Sequence, residues 1–141
     1  MYRGSTINTG KNIQDMRGKT RQIGKECENK AREYLEDLGF LILERNYRIG
    51  KLGEIDIIAK ENEYVCFIEV KARSGNHFGR PSEAIVYGKQ KTIRKIASMY
   101  LATKNLYDKT PVRFDALEMY FFFDESGEVR VKEYNLIKNA F

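Results

Sequence analysis

Two acids and a lysine stand inside a segment that otherwise has the pattern of a β-hairpin. Residues 54–60 (EIDIIAK) and residues 64–73 (YVCFIEVKAR) are apolar runs around the polar turn ENE. This pattern predicts two antiparallel strands. Their pairing would bring Asp56, in the first strand, beside Glu69 and Lys71, in the second.

Neighbouring carboxylates repel each other, and each is costly to bury. A divalent cation between Asp56 and Glu69 would remove that cost, and hard oxygen ligands favour Mg²⁺ or Mn²⁺. Lys71 could then orient a water or stabilise charge on a phosphate. The alternative is an ordinary half-exposed hairpin, in which Glu69 and Lys71 form a same-face ion pair.

The side chains of a strand alternate between its two faces. We therefore expect Glu54, Asp56 and Ile58 to lie on one face of the first strand, with Ile55 and Ile57 on the other. On the second strand, Glu69, Lys71 and Arg73 should share a face.

A third acid, Glu28, lies within the helix predicted over residues 20–38. Apolar residues recur there at three- and four-residue spacing around Cys27, and Gly39 ends the pattern. Glu28 lies at the edge of this apolar stripe, whereas Glu26 falls on a charged flank. Glu28 could thus face the sheet beside the other two acids, or it could simply belong to a solvated flank.

The order of predicted elements is α-β-β-β-α-β-β, which indicates an α/β fold with a mixed central β-sheet flanked by helices. The second helix is predicted from about residue 82 to 104, and the outer strands cover residues 40–49, 110–123 and 128–137. We expect one domain over residues 20–141. Residues 1–19 are polar and basic without periodicity, so a flexible N-terminal arm is predicted there.

Composition restricts the class of protein. The 141 residues are 42% hydrophobic and 32% charged, as in globular domains. No apolar run approaches the ~20 residues that span a bilayer, and no apolar signal core opens the chain, so no membrane partner and a cytoplasmic location are expected. His77 is the only histidine, which excludes a site with two imidazole ligands. Cys27 and Cys66 fall in apolar patterns typical of buried free thiols.

Charge is polarised along the chain. Residues 26–70 hold eleven acidic and six basic side chains, whereas residues 71–105 hold eight basic and one acidic. Basic patches suit a phosphate backbone. The candidate nucleic-acid contacts are Arg73, Arg80, Lys89, Lys91, Arg94 and Lys95. Nothing base-specific is visible, and a solvated helix face is the alternative. A homodimer would let the protein engage two strands, although the sequence offers no direct support for one.

Five blocks of the sequence resemble the YraN-like bacterial proteins. They read GKECENKAREYLEDLGFLILERNYR, GEIDIIA, FIEVKAR, FGRPSEAIVYGKQKTIRKIASMYL and VRFDAL, and span roughly residues 21–117. That largely uncharacterised family is assigned to the PD-(D/E)xK nuclease superfamily and is considered similar to archaeal Holliday-junction resolvases. One departure is Ile55, which stands where the superfamily pattern has a proline.

The resemblance implies a restriction-endonuclease-like fold and a metal-dependent endonuclease acting on DNA, including branched DNA. It assigns the first-motif acid to Asp56, the E-x-K motif to Glu69 and Lys71, and the helix acid to Glu28. Asp56 and Glu69, with the Val70 carbonyl, would hold Mg²⁺ or Mn²⁺, and Glu28 would contribute directly or through water. Two alternatives stay open: a catalytically inactive nucleic-acid-binding module of the same fold, and a structural or adaptor protein.

Overall fold

The computed structural model describes residues 13–74 and 85–141, with side chains from residue 18 onward in the first helix. Its elements are α1 (Ile13–Asp37), β1 (Leu41–Ile49), β2 (Gly53–Glu61), β3 (Tyr64–Ser74), α2 (Tyr87–Thr103), β4 (Val112–Phe123) and β5 (Val129–Ile137). The predicted α/β class and element order are confirmed.

Five strands form one sheet in the order β1-β2-β3-β4-β5. The β1–β2, β2–β3 and β4–β5 pairs are antiparallel, whereas β3 and β4 run parallel. A parallel neighbour needs a crossover connection, and α2 lies within that crossover. The sheet is therefore mixed, as predicted.

The two helices cover opposite faces of the sheet. On one face, Ala31 and Leu35 of α1 pack in a cluster with Ile57 and Ile68. On the other face, the cluster is built by α2 and the central strands; it includes Ile55, Ile58, Phe67, Ile93, Ile96 and Tyr100. Fully burying one such aliphatic side chain contributes about 1.5–3 kcal/mol, so both faces of the central strands stabilise the fold.

Both helices differ at their N-terminal ends from the sequence expectation. α1 begins at Ile13 rather than near residue 20, so part of the predicted arm is helical; residues 1–12 lie outside the described residues. α2 begins at Tyr87, and Val86 before it has an extended backbone. Residues 82–84, where its start was predicted, lie outside the described residues. Apolar periodicity identifies the part of a helix that packs against the sheet. It does not identify helical turns that extend beyond those contacts.

α2 lies very close to the start of β2. Gly53 has a φ of +149°, and a Cβ added there would stand 2.9 Å from Cγ2 of Thr92. A side chain at this position would therefore meet both backbone strain and a steric clash. Gly53 lets α2 approach the strand that carries Asp56.

Cys27 and Cys66 are buried free thiols, as predicted. Burial raises the pKa of each to about 11, so neither is a reactive thiolate near neutral pH. Within the described residues, no helix is long and apolar enough to cross a membrane.

Candidate metal centre

The β2 and β3 strands stop pairing next to Asp56. Their Cα register ends with Ile57 opposite Ile68. Beyond that pair, Oδ2 of Asp56 accepts a hydrogen bond of 2.8 Å from the backbone N–H of Val70. The carboxylate thus occupies the place where a neighbouring strand would offer a carbonyl, and it satisfies the backbone donor where the two strands part.

The alternation of side chains also changes at this point. Ile55 packs with Ile58 on the α2 face, whereas Ile57 packs on the α1 face. The prediction that Ile55 and Ile57 share a face is therefore wrong. Opposite Asp56 on β1, Asn46 has a φ of 52°, a left-handed backbone that asparagine tolerates better than most residues. The local twist at this point reorients the strand.

Asp56 and Glu69 lie side by side, and their carboxyl groups interact directly. Only 5% of Glu69 is exposed. Burial, followed by repulsion from Glu69, raises the pKa of Asp56 to about 7, although the Val70 N–H and the charge of Lys89 act in the opposite direction. Asp56 and Glu69, which were predicted to meet across the hairpin, therefore lie together where solvent access is limited.

Lys71 follows Glu69 on β3 and is half-buried. Its register partner on the parallel β4 strand is Glu118, of which only 1% is exposed. Glu118 accepts hydrogen bonds from the hydroxyl of Tyr120 at 3.4 Å and from the amide of Asn135 at 3.3 Å. The lysine of the E-x-K motif therefore lies beside an acid that the sequence reasoning missed. Alternation on β4 alone does not distinguish this acid from a solvated one.

Glu28 lies close to the pair without completing a three-acid cluster. Its Oε1 accepts a hydrogen bond of 3.3 Å from the Asn46 side chain. Glu28, Asp56 and Val70 line one groove of about 300 Å³ between α1 and the sheet. Among the described residues, no three His, Cys, Asp or Glu side chains are grouped to hold a metal. Asp56 and Glu69 are therefore the carboxylates that could contact a metal ion directly, whereas Glu28 could not.

A second groove, of about 450 Å³, opens on the α2 side of Asp56. Arg48, Lys89 and Thr92 contribute to its lining. Asp56 thus borders a groove on each face of the sheet. Glu54 and Asp56 also line this groove, and Arg48 forms an ion pair with Glu54 at 3.1 Å, so cations and acids alternate along it.

The basic residues predicted on α2 divide into two groups. At 100° per residue, Lys91, Arg94 and Lys95 span about 100° of the helix surface, and all three are exposed. The Arg94 guanidinium lies 4.4 Å from the centre of the Phe114 ring. Lys89 points elsewhere and forms an ion pair with Glu69.

The two remaining predicted nucleic-acid contacts lie outside this helix. Arg73 is half-buried near the end of β3, two residues beyond Lys71. Arg80 lies outside the described residues.

A separate ionic cluster at the opposite end of β3 and β4 was also missed. Arg113 donates two hydrogen bonds to the fully buried Asp115 through its Nε and Nη2, at 2.9 and 2.8 Å, and one to Glu61 at 2.8 Å. Lys138 also pairs with Glu61, and the Asn139 N–H donates to Asp115. The Arg-x-Asp spacing puts both side chains on one strand face and is the signal that could have indicated this pair.

These features define an α/β protein with a mixed five-stranded sheet and a pair of acids where two strands part, of which Glu69 is buried and Asp56 half-buried. Residues 27–119 match the uncharacterised protein family UPF0102. The chain belongs to this family, which is the YraN-like family indicated by the sequence blocks.

Relatives cover most of the chain. A UPF0102 protein of Acetivibrio thermocellus is 46% identical over 86% of this chain and 92% of its own length. UPF0102 proteins of Clostridium botulinum and Clostridium kluyveri are 46% and 43% identical, each over 86% of this chain and 94% of their own. A solved structure of Pyrococcus furiosus SfsA in complex with Ca²⁺ matches 82% of this chain and 63% of its own, at 20% identity and a TM-score of 0.41.

Proposed function

We propose that this protein is a Mg²⁺- or Mn²⁺-dependent endonuclease that hydrolyses phosphodiester bonds of DNA, with branched DNA among its substrates. The observation that carries this proposal is the interaction between the half-buried Asp56 and the buried Glu69. Two adjoining carboxylates form an oxygen-rich place that suits a hard divalent cation, and Lys89 forms an ion pair with one of them.

Each residue of the site has a role in the proposal. Asp56, Glu69 and the Val70 carbonyl would hold the cation, which when bound polarises a phosphate and lowers the pKa of a coordinated water. Glu28, on the rim of the α1-side groove, would act through a water. Lys71 would orient the attacking water and stabilise charge growing on the phosphate.

DNA would be held through its backbone. Exposed Lys91, Arg94 and Lys95 on α2 would contact phosphates, with Lys89 beside the site, and the predicted contacts Arg73 and Arg80 would extend this surface. Binding of this kind weakens steeply as salt concentration rises. A homodimer would present two such sites to a branched substrate, and sedimentation of the protein tests that arrangement.

The second candidate is a nucleic-acid-binding module of the same fold without catalysis. The position of Glu28 favours it, because its carboxylate is hydrogen-bonded to Asn46 and does not join the acid pair. In that case the protein would bind DNA and leave it intact.

Cleavage of a labelled DNA panel separates the two candidates. The panel contains single strands, duplex, flap and four-way junction, each with Mg²⁺, Mn²⁺ or chelator. We expect metal-dependent cutting that Asp56→Ala and Lys71→Ala abolish, while Glu63→Gln, which removes an exposed acid of the same hairpin, retains it. Intact DNA that is nevertheless bound by the folded wild-type protein would favour the binding module, and no salt-sensitive binding would refute both.

A further inference from the structure

Lys89 lies directly over the proposed metal site. It stands in the first turn of α2, and Gly53 allows that helix to approach β2 closely. Its ammonium group forms an ion pair with the Glu69 carboxylate. Glu69 is 5% exposed at its side chain and Lys89 is 51% exposed, so the lysine reaches from solvent into a buried acid.

The ammonium group of Lys89 interacts with both acids of the pair. Its hydrogen bond with Glu69 is the main cause that raises the pKa of Lys89, and the charges of Glu69 and Asp56 act in the same direction. Lys89 in turn favours the ionised form of Asp56. The positive charge of Lys89 therefore partly neutralises the two carboxylates at the place where a divalent cation would be bound.

We propose that Lys89 is a positioning residue that holds the Glu69 carboxylate in the metal-free protein and exchanges with the divalent cation when the metal binds. The inference rests on the proposed function for the existence of the metal site. It adds that metal affinity is limited by an internal competitor. Because Lys89 is half exposed, its side chain can leave Glu69 and remain in the groove, which the acid Glu54 also lines.

Titration calorimetry with Mn²⁺ at pH 8 tests the exchange. We expect Lys89→Gln to bind Mn²⁺ about tenfold more tightly than the wild type, which corresponds to ~1.4 kcal/mol. Lys89→Arg should retain the wild-type affinity, because it restores the competing charge. Lys104→Gln is the matched control: it removes an exposed lysine at the C-terminal end of the same helix and should change the affinity less than about twofold.

The direction of the change distinguishes exchange from a structural role. If Lys89 only supported the fold of the site, its removal would weaken Mn²⁺ binding. Urea unfolding in chelator should show Lys89→Gln to be less stable than wild type, since the buried Glu69 then lacks its cation. Equal or weaker Mn²⁺ affinity in a folded Lys89→Gln protein overturns the inference.

The same titration distinguishes this failure from failure of the proposed function. Mn²⁺ binding of equal strength by wild type and Lys89→Gln overturns the Lys89 exchange alone. Tighter binding by Lys89→Gln without DNA cleavage supports the exchange and moves the function to the binding module. No Mn²⁺ heat in any of the proteins removes the metal site, and the exchange is refuted with it.

Discussion

Replacing Asp56 by Asn should make the metal-free protein more stable at pH 8. The substitution keeps the shape of the side chain, and its amide oxygen can still accept the Val70 N–H that Asp56 accepts at 2.8 Å. It removes a buried charge and the repulsion from Glu69. The residue proposed to hold the metal is thus expected to lower the stability of the protein when no metal is bound.

The magnitude follows from the pKa of Asp56. In the folded protein this pKa is raised from 3.8 to about 7, so between those values the native state holds a proton that the unfolded chain has lost. The contribution of Asp56 to stability is therefore fully present below pH ~4 and decreases as pH rises toward 7. One pKa unit corresponds to 1.36 kcal/mol, which gives an upper figure of ~4 kcal/mol. Because relaxation of the site and water penetration reduce such penalties in folded proteins, we expect about 2 kcal/mol.

Urea unfolding in chelator between pH 4 and pH 8 measures this effect. The free energy of unfolding of Asp56→Asn should equal that of wild type near pH 4 and exceed it progressively up to pH 7. Glu63→Gln removes an exposed carboxylate from the same hairpin and should follow the wild type within ~0.5 kcal/mol. Addition of Mn²⁺ should then stabilise wild type and leave Asp56→Asn unchanged. A variant less stable than wild type at pH 8, or a difference independent of pH, would refute the reasoning.

Two further predictions concern packing and the second ionic cluster. Gly53→Ala should lower the free energy of unfolding by about 1–3 kcal/mol in urea, because the new Cβ meets Thr92 and the positive φ strains the backbone; unchanged stability would contradict the close approach of α2. Arg113→Met should cost about 3–5 kcal/mol in the same assay, since Asp115 is left buried without its cation. Its control, Arg130→Met, removes an ion-pair arginine that is 55% exposed and should lower the stability far less than Arg113→Met does; equal losses would contradict the importance of burial.

The fold was largely predictable because its signals are local. Alternating and helical apolar periods identified all seven elements, and strand bounds agreed within about two residues. The early start of α1 and the late start of α2 were not predictable, because helix ends depend on contacts rather than on periodicity.

The proximity of Asp56 and Glu69 was predictable because the pairing of the two hairpin strands determines which residues lie opposite each other. The alternation of side chains along a strand correctly predicted that Asp56 and Glu69 lie side by side. The same alternation wrongly placed Ile55 on the face of Ile57. Asn46 on the neighbouring strand has a positive φ, and such a backbone irregularity leaves no periodic signal in the sequence. Lys89 was grouped with the basic face because sequence spacing does not show which residue of α2 lies over β3.

Comparison of the two buried acid clusters supports a site rather than a structural pair at Asp56. At the Arg113 end, Asp115 receives a forked arginine and a backbone N–H. Burial there opposes the charge of Glu61, but hydrogen bonds from Lys138 and Arg113 outweigh it and lower its pKa. That cluster is neutralised and needs no ligand.

At the other end, burial and the adjoining acid raise the pKa of Asp56 despite the Val70 N–H and Lys89. Burial is the largest cause of the raised pKa of Asp56 and repulsion from Glu69 adds to it, whereas hydrogen bonds from two cations outweigh burial at Glu61. An acid pair left under-neutralised beside two grooves costs stability that apolar residues would avoid. Perturbed pKa values of this kind concentrate at functional sites, and a divalent cation is the partner that would balance the charge.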